Sequence, residues 1–415
     1  MNNLSPLDGR YIKYVEQLKN YFSEKSLIRE RLNIEIDYFI FLLTLNTPIF
    51  PYLESVKTFI LSFKNLNKQT EYINDIKLIE KKINHDVKAI EIFLANKLKK
   101  NNFEQYVNLL HFGLTSQDIT TTAYSINLKN FHENILLKEI NNITNNLKFL
   151  KKQWENIIII GRTHGQYATW TKLGKEINVF ITRLKKDINM LKNFKFSTKF
   201  GGAIGNLTSH RLLINSNWNI LLDFFINDNY NLEREKCTTQ IHNYNNYSEY
   251  FDCIKRICST LVDFCVDIWL YCSFEELYLE KPKEHVGSSI MPHKVNPIEF
   301  ENAEGNFKIC TMWCEFMSRE LLKSRLQRDL TDSTLLRNVG VLFGHFILAI
   351  KKTNIGIKYL RVNKKVINKR LNDNLNSMSE IDQHLLRIEN KVEGYNSRKN
   401  DNSLVKDINF YKQFL

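Results

Sequence analysis

Proline distribution constrains the fold of this chain more than any other feature of its sequence. The 415 residues include six prolines, and none lies between Pro51 and Pro282. Proline interrupts helix interiors because it lacks a backbone N–H and clashes with the preceding turn. A proline-free span of this length therefore permits long, uninterrupted helices.

Apolar periodicity within that span predicts where the helices lie. A heptad-like pattern, in alternating steps of three and four, predicts one long helix from about Tyr247 to Tyr271. Its members are Phe251, Ile254, Cys258, Leu261, Cys265, Ile268 and Cys272. A second helix is predicted from Leu173, Ile177, Phe180, Leu184, Ile188 and Leu191. A third is predicted over Ile76 to Leu98, with Ile79, Ile83, Val87, Ile90 and Leu94 on one face.

Strand patterns with period two are scarce, so the sequence predicts an all-α protein. We expect three helical domains, covering residues 1–111, 112–344 and a short 345–415, with a long-helix bundle in the centre. Asn363 is expected to cap a helix over Lys364 to Leu371. The glycines of 201–205 lack a preceding strand pattern and match a dinucleotide fingerprint only weakly, so they predict a turn.

Seven cysteines fall between Cys237 and Cys314. An odd number argues against a disulfide framework. Pairs such as Cys310 and Cys314 have a spacing that metal ligands also use, but the seven-residue spacing from Cys258 to Cys272 favours core packing, in which a thiol acts as a small hydrophobe. Free thiols suit a reducing cytosol.

The formal net charge of +13 leaves a non-enzymatic nucleic-acid-binding protein as one alternative. The lysines are scattered rather than clustered with aromatic residues, so we expect that the protein does not bind nucleic acid. No basic-then-apolar segment opens the chain, and no plain apolar run has the length of a membrane span. We therefore expect a cytoplasmic protein without a membrane segment.

The stretch from Gly287 to Pro297 combines two hydroxyls, a lysine and two prolines. A helix is expected to begin after Asn296 with Pro297 in its first position. Serine and lysine beside a helix N-terminus form an anion site. A polar surface loop explains the composition equally well.

Six ordered motifs resemble the fumarase/aspartase superfamily and, within it, the adenylosuccinate lyase family, and the similarity extends over about residues 5–375. They are residues 6–11, 84–89, 111–118, 162–166, 287–306 and 327–334. The resemblance implies a homotetramer whose active sites are each built from three subunits. It also implies β-elimination of fumarate from adenylosuccinate, giving AMP, and from the succinylated aminoimidazole carboxamide ribotide of purine synthesis. That chemistry requires a base, an acid and cations, and no cofactor or metal.

The resemblance implies roles for individual residues. Ser288 is the implied base and His164 the implied general acid, with His85 orienting His164 or binding phosphate. The implied nucleotide and phosphate contacts are Arg10, Tyr11, Arg328, Ser333, Thr334 and Arg337. Those to the succinyl carboxylates are Thr115, Ser116, Lys294 and Asn296. Further implied substrate contacts are Asn84, Asp86, Gln240, Ser289, Val295, Asn302, Leu335 and Leu336.

The chain departs from the resembled pattern in two loops. Tyr167 stands where the pattern has proline, and residues 241–245 lack acidic side chains. Three alternatives remain: another fumarate-releasing lyase such as an argininosuccinate-cleaving enzyme, a basic nucleic-acid-binding helical protein, and an inactive relative kept as a structural protein.

Overall fold

The computed structural model describes residues 3–65, 68–280 and 295–388. Helices dominate these residues, as the apolar periodicity and the scarcity of strand patterns predict. In chain order they are α1 Ile12–Val15, α2 Lys19–Phe22, α3 Glu24–Thr44, α4 Glu54–Leu61, α5 Gln69–Ile83, α6 Asp86–Lys100, α7 Ser116–Phe131, α8 Leu137–Gln153, α9 Leu173–Lys192, α10 Thr208–Leu213, α11 Trp218–Tyr230, α12 Asn245–Ser273, α13 Ile298–Glu320, α14 Thr331–Leu336, α15 Val339–Tyr359, α16 Lys364–Asp373 and α17 Ser379–Ile388.

Short strands form three two-stranded ladders in the described residues. They are β1 Ile158–Thr163, β2 Gln166–Lys172, β3 Ser197–Lys199, β4 Glu233–Glu235, β5 Leu277–Leu279 and β6 Leu360–Val362. The pairs β1–β2 and β5–β6 are antiparallel, whereas β3–β4 is parallel. Strand β3 directly precedes the 201–205 glycines, so the expectation of no preceding strand is wrong; three residues are too few to produce a periodic pattern.

Packing divides the chain into two compact units that interleave along the sequence. Unit 1 comprises residues 1–138, 190–255 and 310–347, and unit 2 comprises 139–189, 256–309 and 348–415. The unit boundaries fall inside helices α8, α9, α12, α13 and α15. The division into three sequence domains stays a prediction.

The core of unit 1 begins with helices α3 to α6. Helix α3 starts at the cap residue Ser23, whose side chain accepts a hydrogen bond from the Ser26 amide. Its apolar face, which includes Ile36 and Phe39, packs with buried residues of α4, α5 and α6. This core fixes the start of α6, where several of the predicted site residues lie.

Two of the three predicted helices are confirmed, and the third is wrong. Helices α12 and α9 cover the predicted ranges and bury the predicted faces. The segment from Ile76 to Leu98 is two helices, because Asn84 adopts a left-handed conformation with φ +53°. His85 then caps α6 rather than lying inside a helix. The predicted cap Asn363 is confirmed, since its side chain accepts a hydrogen bond from the Val366 amide.

Helix α13 begins at Ile298, so Pro297 precedes its first residue instead of occupying it. The Pro297 carbonyl accepts hydrogen bonds from the amides of Phe300 and Glu301, as the carbonyl of a helix-capping residue does. The predicted start of the helix is therefore wrong by one residue, and Pro297 is its cap.

All seven cysteines are free, and five of them are buried. The core-packing prediction is thus confirmed for Cys258 and Cys265, while Cys272 is half-buried. Within residues 3–65, 68–280 and 295–388, no group of three or more His, Cys, Asp or Glu side chains is arranged to hold a metal ion. In the same part of the chain, one helical stretch, Thr331–Tyr359, has the length and composition of a membrane span, and 61% of its most apolar window is buried inside the protein.

Candidate active site

The first turn of α7 carries two of the predicted carboxylate contacts, Thr115 and Ser116. Thr115 caps the helix in a capping box: its side chain accepts from the Asp118 amide, and Asp118 Oδ2 accepts from the Thr115 amide at 2.8 Å. Both hydroxyl residues are half-buried. The N-terminus of a 16-residue helix presents partial positive charge, so this turn suits a carboxylate or phosphate.

Asp118 also connects this turn to the glycine loop after β3. Its Oδ1 accepts hydrogen bonds from the Gly201 amide at 2.7 Å and the Lys199 ammonium at 2.6 Å. Burial lowers the pKa of Lys199, and the charge of Asp118 opposes that shift. The buried ion pair therefore fixes the glycine loop against the start of α7.

The other end of the glycine loop holds Gln240. The Gln240 side-chain amide donates to the Ala203 carbonyl at 2.7 Å, and its backbone amide donates to the Gln327 carbonyl at 3.2 Å. Gly205, with φ +81°, permits this approach, because a Cβ atom there would lie 2.0 Å from the Thr238 carbonyl oxygen. Gln240 therefore lies beside the segment that contains Arg328.

Arg328 has a guanidinium nitrogen, Nη1, that is buried and has no hydrogen-bond partner among the described residues. Unpaired buried donors are rare, because each forfeits its hydrogen bond to water. Burial lowers the pKa of Lys199, and the charge of Arg328 lowers it further. Burial raises the pKa of Tyr244, and the charge of Arg328 opposes that rise, so Arg328 lies near both groups. Because Asp118 already neutralises Lys199, the unused donor of Arg328 is the feature that suits an anion.

Asp332 joins the start of α14 to the start of α7. Its Oδ2 accepts from the Gln117 side-chain amide at 2.6 Å and from the Tyr244 hydroxyl at 2.8 Å. Its Oδ1 accepts from the Ser333 amide at 2.7 Å. Hydrogen bonds within unit 1 thus connect the segments carrying five predicted residues: Thr115, Ser116, Gln240, Arg328 and Ser333.

A second group within unit 1 surrounds Asp86. Its Oδ2 accepts from Arg31 at 2.7 Å and lies 3.4 Å from Arg337. Burial raises the pKa of Asp86, but the neighbouring arginine charges and hydrogen bonds hold it below its ordinary value. The exposed His85 imidazole accepts from the Lys88 amide through Nδ1 at 3.1 Å, which leaves Nε2 as the N–H of the neutral ring.

The remaining predicted residues of unit 1 have fewer contacts that connect them to the two groups described above. Arg10 and Tyr11 occupy the turn before α1, with the guanidinium carbon 5.8 Å from the tyrosine ring. Within the described part of the chain, Arg10 makes no hydrogen bond or ion pair with the other predicted residues. Thr334 is exposed, Leu335 is half-buried and Leu336 is buried.

In unit 2, His164 lies at the tip of the β1–β2 hairpin. The structure forms a two-residue turn of His164 and Gly165 here, both with positive φ. The imidazole is exposed and forms no hydrogen bond to any described residue. Val295 and Asn296 are exposed ahead of α13, and the Asn302 carbonyl accepts from Asn306. Ser288, Ser289 and Lys294 lie outside the described residues.

Comparison with known proteins extends over nearly the whole chain. Residues 60–311 match the family model described as Lyase, and residues 324–407 match the one described as Adenylosuccinate lyase C-terminal. Adenylosuccinate lyase of Dictyostelium discoideum is 41% identical, covering 96% of this chain and 88% of that protein. The enzyme of Legionella pneumophila (strain Corby) is 36% identical with the same coverage.

This chain belongs to the adenylosuccinate lyase family. It is therefore a lyase, in a superfamily of enzymes that act on small molecules.

Solved structures support the fold of this adenylosuccinate lyase family member. A fumarate lyase from Mesorhizobium sp. BNC1 superposes with a TM-score of 0.73 at 15% identity, covering 92% of this chain and 84% of that one. A 3-carboxy-cis,cis-muconate lactonizing enzyme from Pseudomonas putida gives a TM-score of 0.71 at 17% identity, covering 91% and 82%. The predicted all-α fold is confirmed.

Sequence reasoning gave no role to Asp118, Lys199, Tyr244 or Asp332, which hold the unit 1 site of this family member together. Thr115 followed by an acidic residue three positions later is a helix-start signature, so Asp118 was detectable. Lys199, Tyr244 and Asp332 make contacts that are distant in sequence, and no local pattern indicates them.

Proposed function

We propose that this chain catalyses β-elimination of fumarate from adenylosuccinate, giving AMP, and from the succinylated aminoimidazole carboxamide ribotide of purine nucleotide biosynthesis. The observation that carries the proposal is the similarity to adenylosuccinate lyases across 96% of the chain. The unit 1 site supports it, because a helix N-terminus and Arg328, whose buried Nη1 has no partner among the described residues, suit a substrate with carboxylates and a phosphate.

The reaction needs a base that removes a proton from carbon and an acid that protonates the departing nitrogen. Ser288 is proposed to remove the proton beside a succinyl carboxylate, and His164 to protonate the departing nitrogen as the carbon–nitrogen bond breaks. The exposed His164 imidazole has no competing partner among the described residues, which supports this assignment. The C–H electron pair forms the new carbon–carbon double bond of fumarate, and the C–N electron pair leaves with the nitrogen and takes the proton from His164. The elimination involves no net oxidation or reduction, so the proposal includes no cofactor.

Negative charge builds on the substrate carboxylate as the proton leaves. Thr115 and Ser116, with Lys294 and Asn296, are proposed to bind the succinyl carboxylates. Arg328, Ser333 and Arg337 are proposed to bind the phosphate, with Asp86 orienting Arg337. The other proposed contacts, and the orienting histidine, are Arg10, Tyr11, Asn84, His85, Gln240, Ser289, Val295, Asn302, Thr334, Leu335 and Leu336.

We further propose a cytoplasmic homotetramer, with three helical domains per chain and sites shared between subunits. Exposed apolar side chains on the long helices support self-association. Trp269 on α12 is 42% exposed, and Met312 and Phe316, one turn apart on α13, are 57% and 37% exposed. Light scattering on the purified protein tests the tetramer.

Incubation with adenylosuccinate and, separately, with argininosuccinate tests the activity. The proposal expects fumarate and AMP in equal amounts from the first substrate and no fumarate from the second. Fumarate from argininosuccinate alone would show the other lyase activity. Steeply salt-dependent binding of DNA or RNA without fumarate release would favour the nucleic-acid-binding alternative.

A further inference from the structure

The backbone at the tip of the β1–β2 hairpin is unfavourable for histidine. His164 and Gly165 have φ values of +53° and +74°, and Thr163 pairs with Gln166 on either side. Positive φ at both turn positions is the type I′ hairpin geometry, in which asparagine-glycine is the favoured pair. A histidine in the first position stays there only when the surrounding structure fixes the turn.

One residue pair directly below the turn supplies that constraint. Arg162 and Tyr167 are cross-strand partners, and the Arg162 guanidinium carbon lies 5.3 Å from the Tyr167 ring centre. The same carbon lies 4.3 Å from the ring centre of Phe274. A planar guanidinium between two aromatic rings is restrained by stacking and by cation–π attraction.

The Arg162 guanidinium also forms a two-point ion pair. Its Nη1 and Nη2 atoms donate to the Glu276 carboxylate at 3.0 and 2.6 Å. The Glu276 side chain is only 3% exposed, and Arg370 donates to it at 2.9 Å. Parallel hydrogen bonds to a buried, doubly paired carboxylate define the orientation of Arg162.

We propose that Arg162, held by Glu276 and Tyr167, is a positioning residue for His164. This inference rests on the proposed function, in which His164 is the general acid. The other side-chain anchors of the hairpin are farther from the tip: Trp170 donates to the Ser377 hydroxyl at 2.8 Å, and Thr169 to Glu380. Weakening the Arg162 brace therefore loosens the turn while the rest of the hairpin stays attached.

The test compares four variants with the wild-type protein. Arg162→Lys keeps a positive charge beside Glu276, so the buried carboxylate stays paired and the protein folds, but it loses the planar two-point contact. Tyr167→Ala removes the stacking ring and Tyr167→Phe retains it. Arg361→Lys is the matched control, because Arg361 pairs with Glu280 at 2.6 Å in the same unit and is half-exposed.

Steady-state kinetics with adenylosuccinate give the first readout. Arg162→Lys is expected to lower kcat about 10–100-fold, as misplacement of a reacting group does. KM is expected to change less than about threefold, because the ground-state contacts remain. Tyr167→Ala lowers kcat by a smaller factor, while Tyr167→Phe and Arg361→Lys stay near the wild-type value.

Hydrogen exchange of residues 158–172 gives a second readout that needs no substrate. Exchange near the turn is expected to be faster in Arg162→Lys and Tyr167→Ala than in the other proteins. Unchanged exchange in Arg162→Lys, or faster exchange with wild-type kcat, overturns the positioning role. A wild-type protein that releases no fumarate refutes the proposed function and the acid role with it, whereas exchange still decides whether Arg162 fixes the turn.

Discussion

The carboxylate of Asp118 lies 2.6 Å from the ammonium of Lys199, and neither side chain is exposed to solvent. The two partners are not equivalent. Asp118 accepts further hydrogen bonds from the amides of Thr115, Gly201 and Gly202, whereas Lys199 donates in addition to the Gly202 carbonyl at 2.6 Å. Removing Lys199 therefore leaves a carboxylate that backbone amides still solvate, whereas removing the charge of Asp118 leaves an ammonium with fewer hydrogen bonds.

Asp118→Asn is expected to destabilise the protein by about 3–5 kcal/mol, because it leaves a buried ammonium without a counter-charge. Lys199→Met is expected to cost only about 1–3 kcal/mol, since backbone amides continue to solvate the carboxylate. Urea unfolding followed by circular dichroism compares the two variants. A larger loss for Lys199→Met than for Asp118→Asn would contradict this order.

The ion pair between the half-buried His111 and the buried Glu35 predicts how the stability of the protein depends on pH. Burial lowers the pKa of His111, but the charge and hydrogen bond of Glu35, with further charge from Glu91 and Asp118, raise it to about 9. Because the folded pKa lies above the unfolded value of 6.5, the stabilisation is fully present below 6.5 and is lost as pH rises through about 9. The shift corresponds to about 3 kcal/mol.

Urea unfolding on either side of this range measures the effect in wild-type protein and in His111→Gln. The wild-type protein is expected to lose more stability with rising pH than the variant does. Equal losses would show that the Glu35–His111 pair does not contribute in this way.

Arg328 is expected to matter for substrate binding more than its exposed neighbour Arg325. Its buried Nη1 has no partner among the described residues, so a substrate phosphate is its expected acceptor. Losing a charge-assisted hydrogen bond of about 1.5–3 kcal/mol raises KM about 10–100-fold. Arg325→Leu, at a side chain that is 82% exposed, is the control. The same KM in Arg328→Leu and Arg325→Leu would remove Arg328 from the site.

The sequence predicted helices where burial is continuous along one face. Helices α9 and α12 satisfied this condition and were correctly placed. The break between α5 and α6 was not predicted, because Ile83 and Val87 continue the same apolar period across Asn84. A single left-handed residue does not alter that period. The β1–β2 hairpin was not predicted, because the bulge at Gly161 interrupts the alternating pattern of its first strand. A Cβ atom at Gly161 would lie 2.7 Å from the Thr169 carbonyl oxygen.

The site residues also divide into those that the sequence predicts and those that only the structure reveals. The candidate substrate contacts were predicted through the family resemblance, and five of them lie on hydrogen-bonded segments of unit 1. The residues that hold those segments together, such as Lys199 and Asp332, act through partners far away in sequence. Tertiary contacts of this kind have no local signature, so only the structure reveals them.

The proposed sharing of active sites between subunits predicts a specific result for mixed variants. His164→Ala and Ser288→Ala are each expected to be inactive alone. If different subunits supply these two residues to one site, subunit exchange between the two proteins creates some sites with both groups intact. Activity regained after unfolding and refolding together supports sharing. Separate refolding followed by mixing is the control, and no regained activity in the protein refolded as a mixture would place both groups in one subunit.

The most direct test of the proposed chemistry is the amount of fumarate released from adenylosuccinate by wild-type protein, His164→Ala and Ser288→Ala, each verified as folded by circular dichroism. We expect the wild-type protein to form fumarate and AMP in equal amounts and both variants to lose this activity. Near-normal turnover in both variants would contradict the acid and base assignments, and no fumarate from the wild-type protein would contradict the proposed function itself.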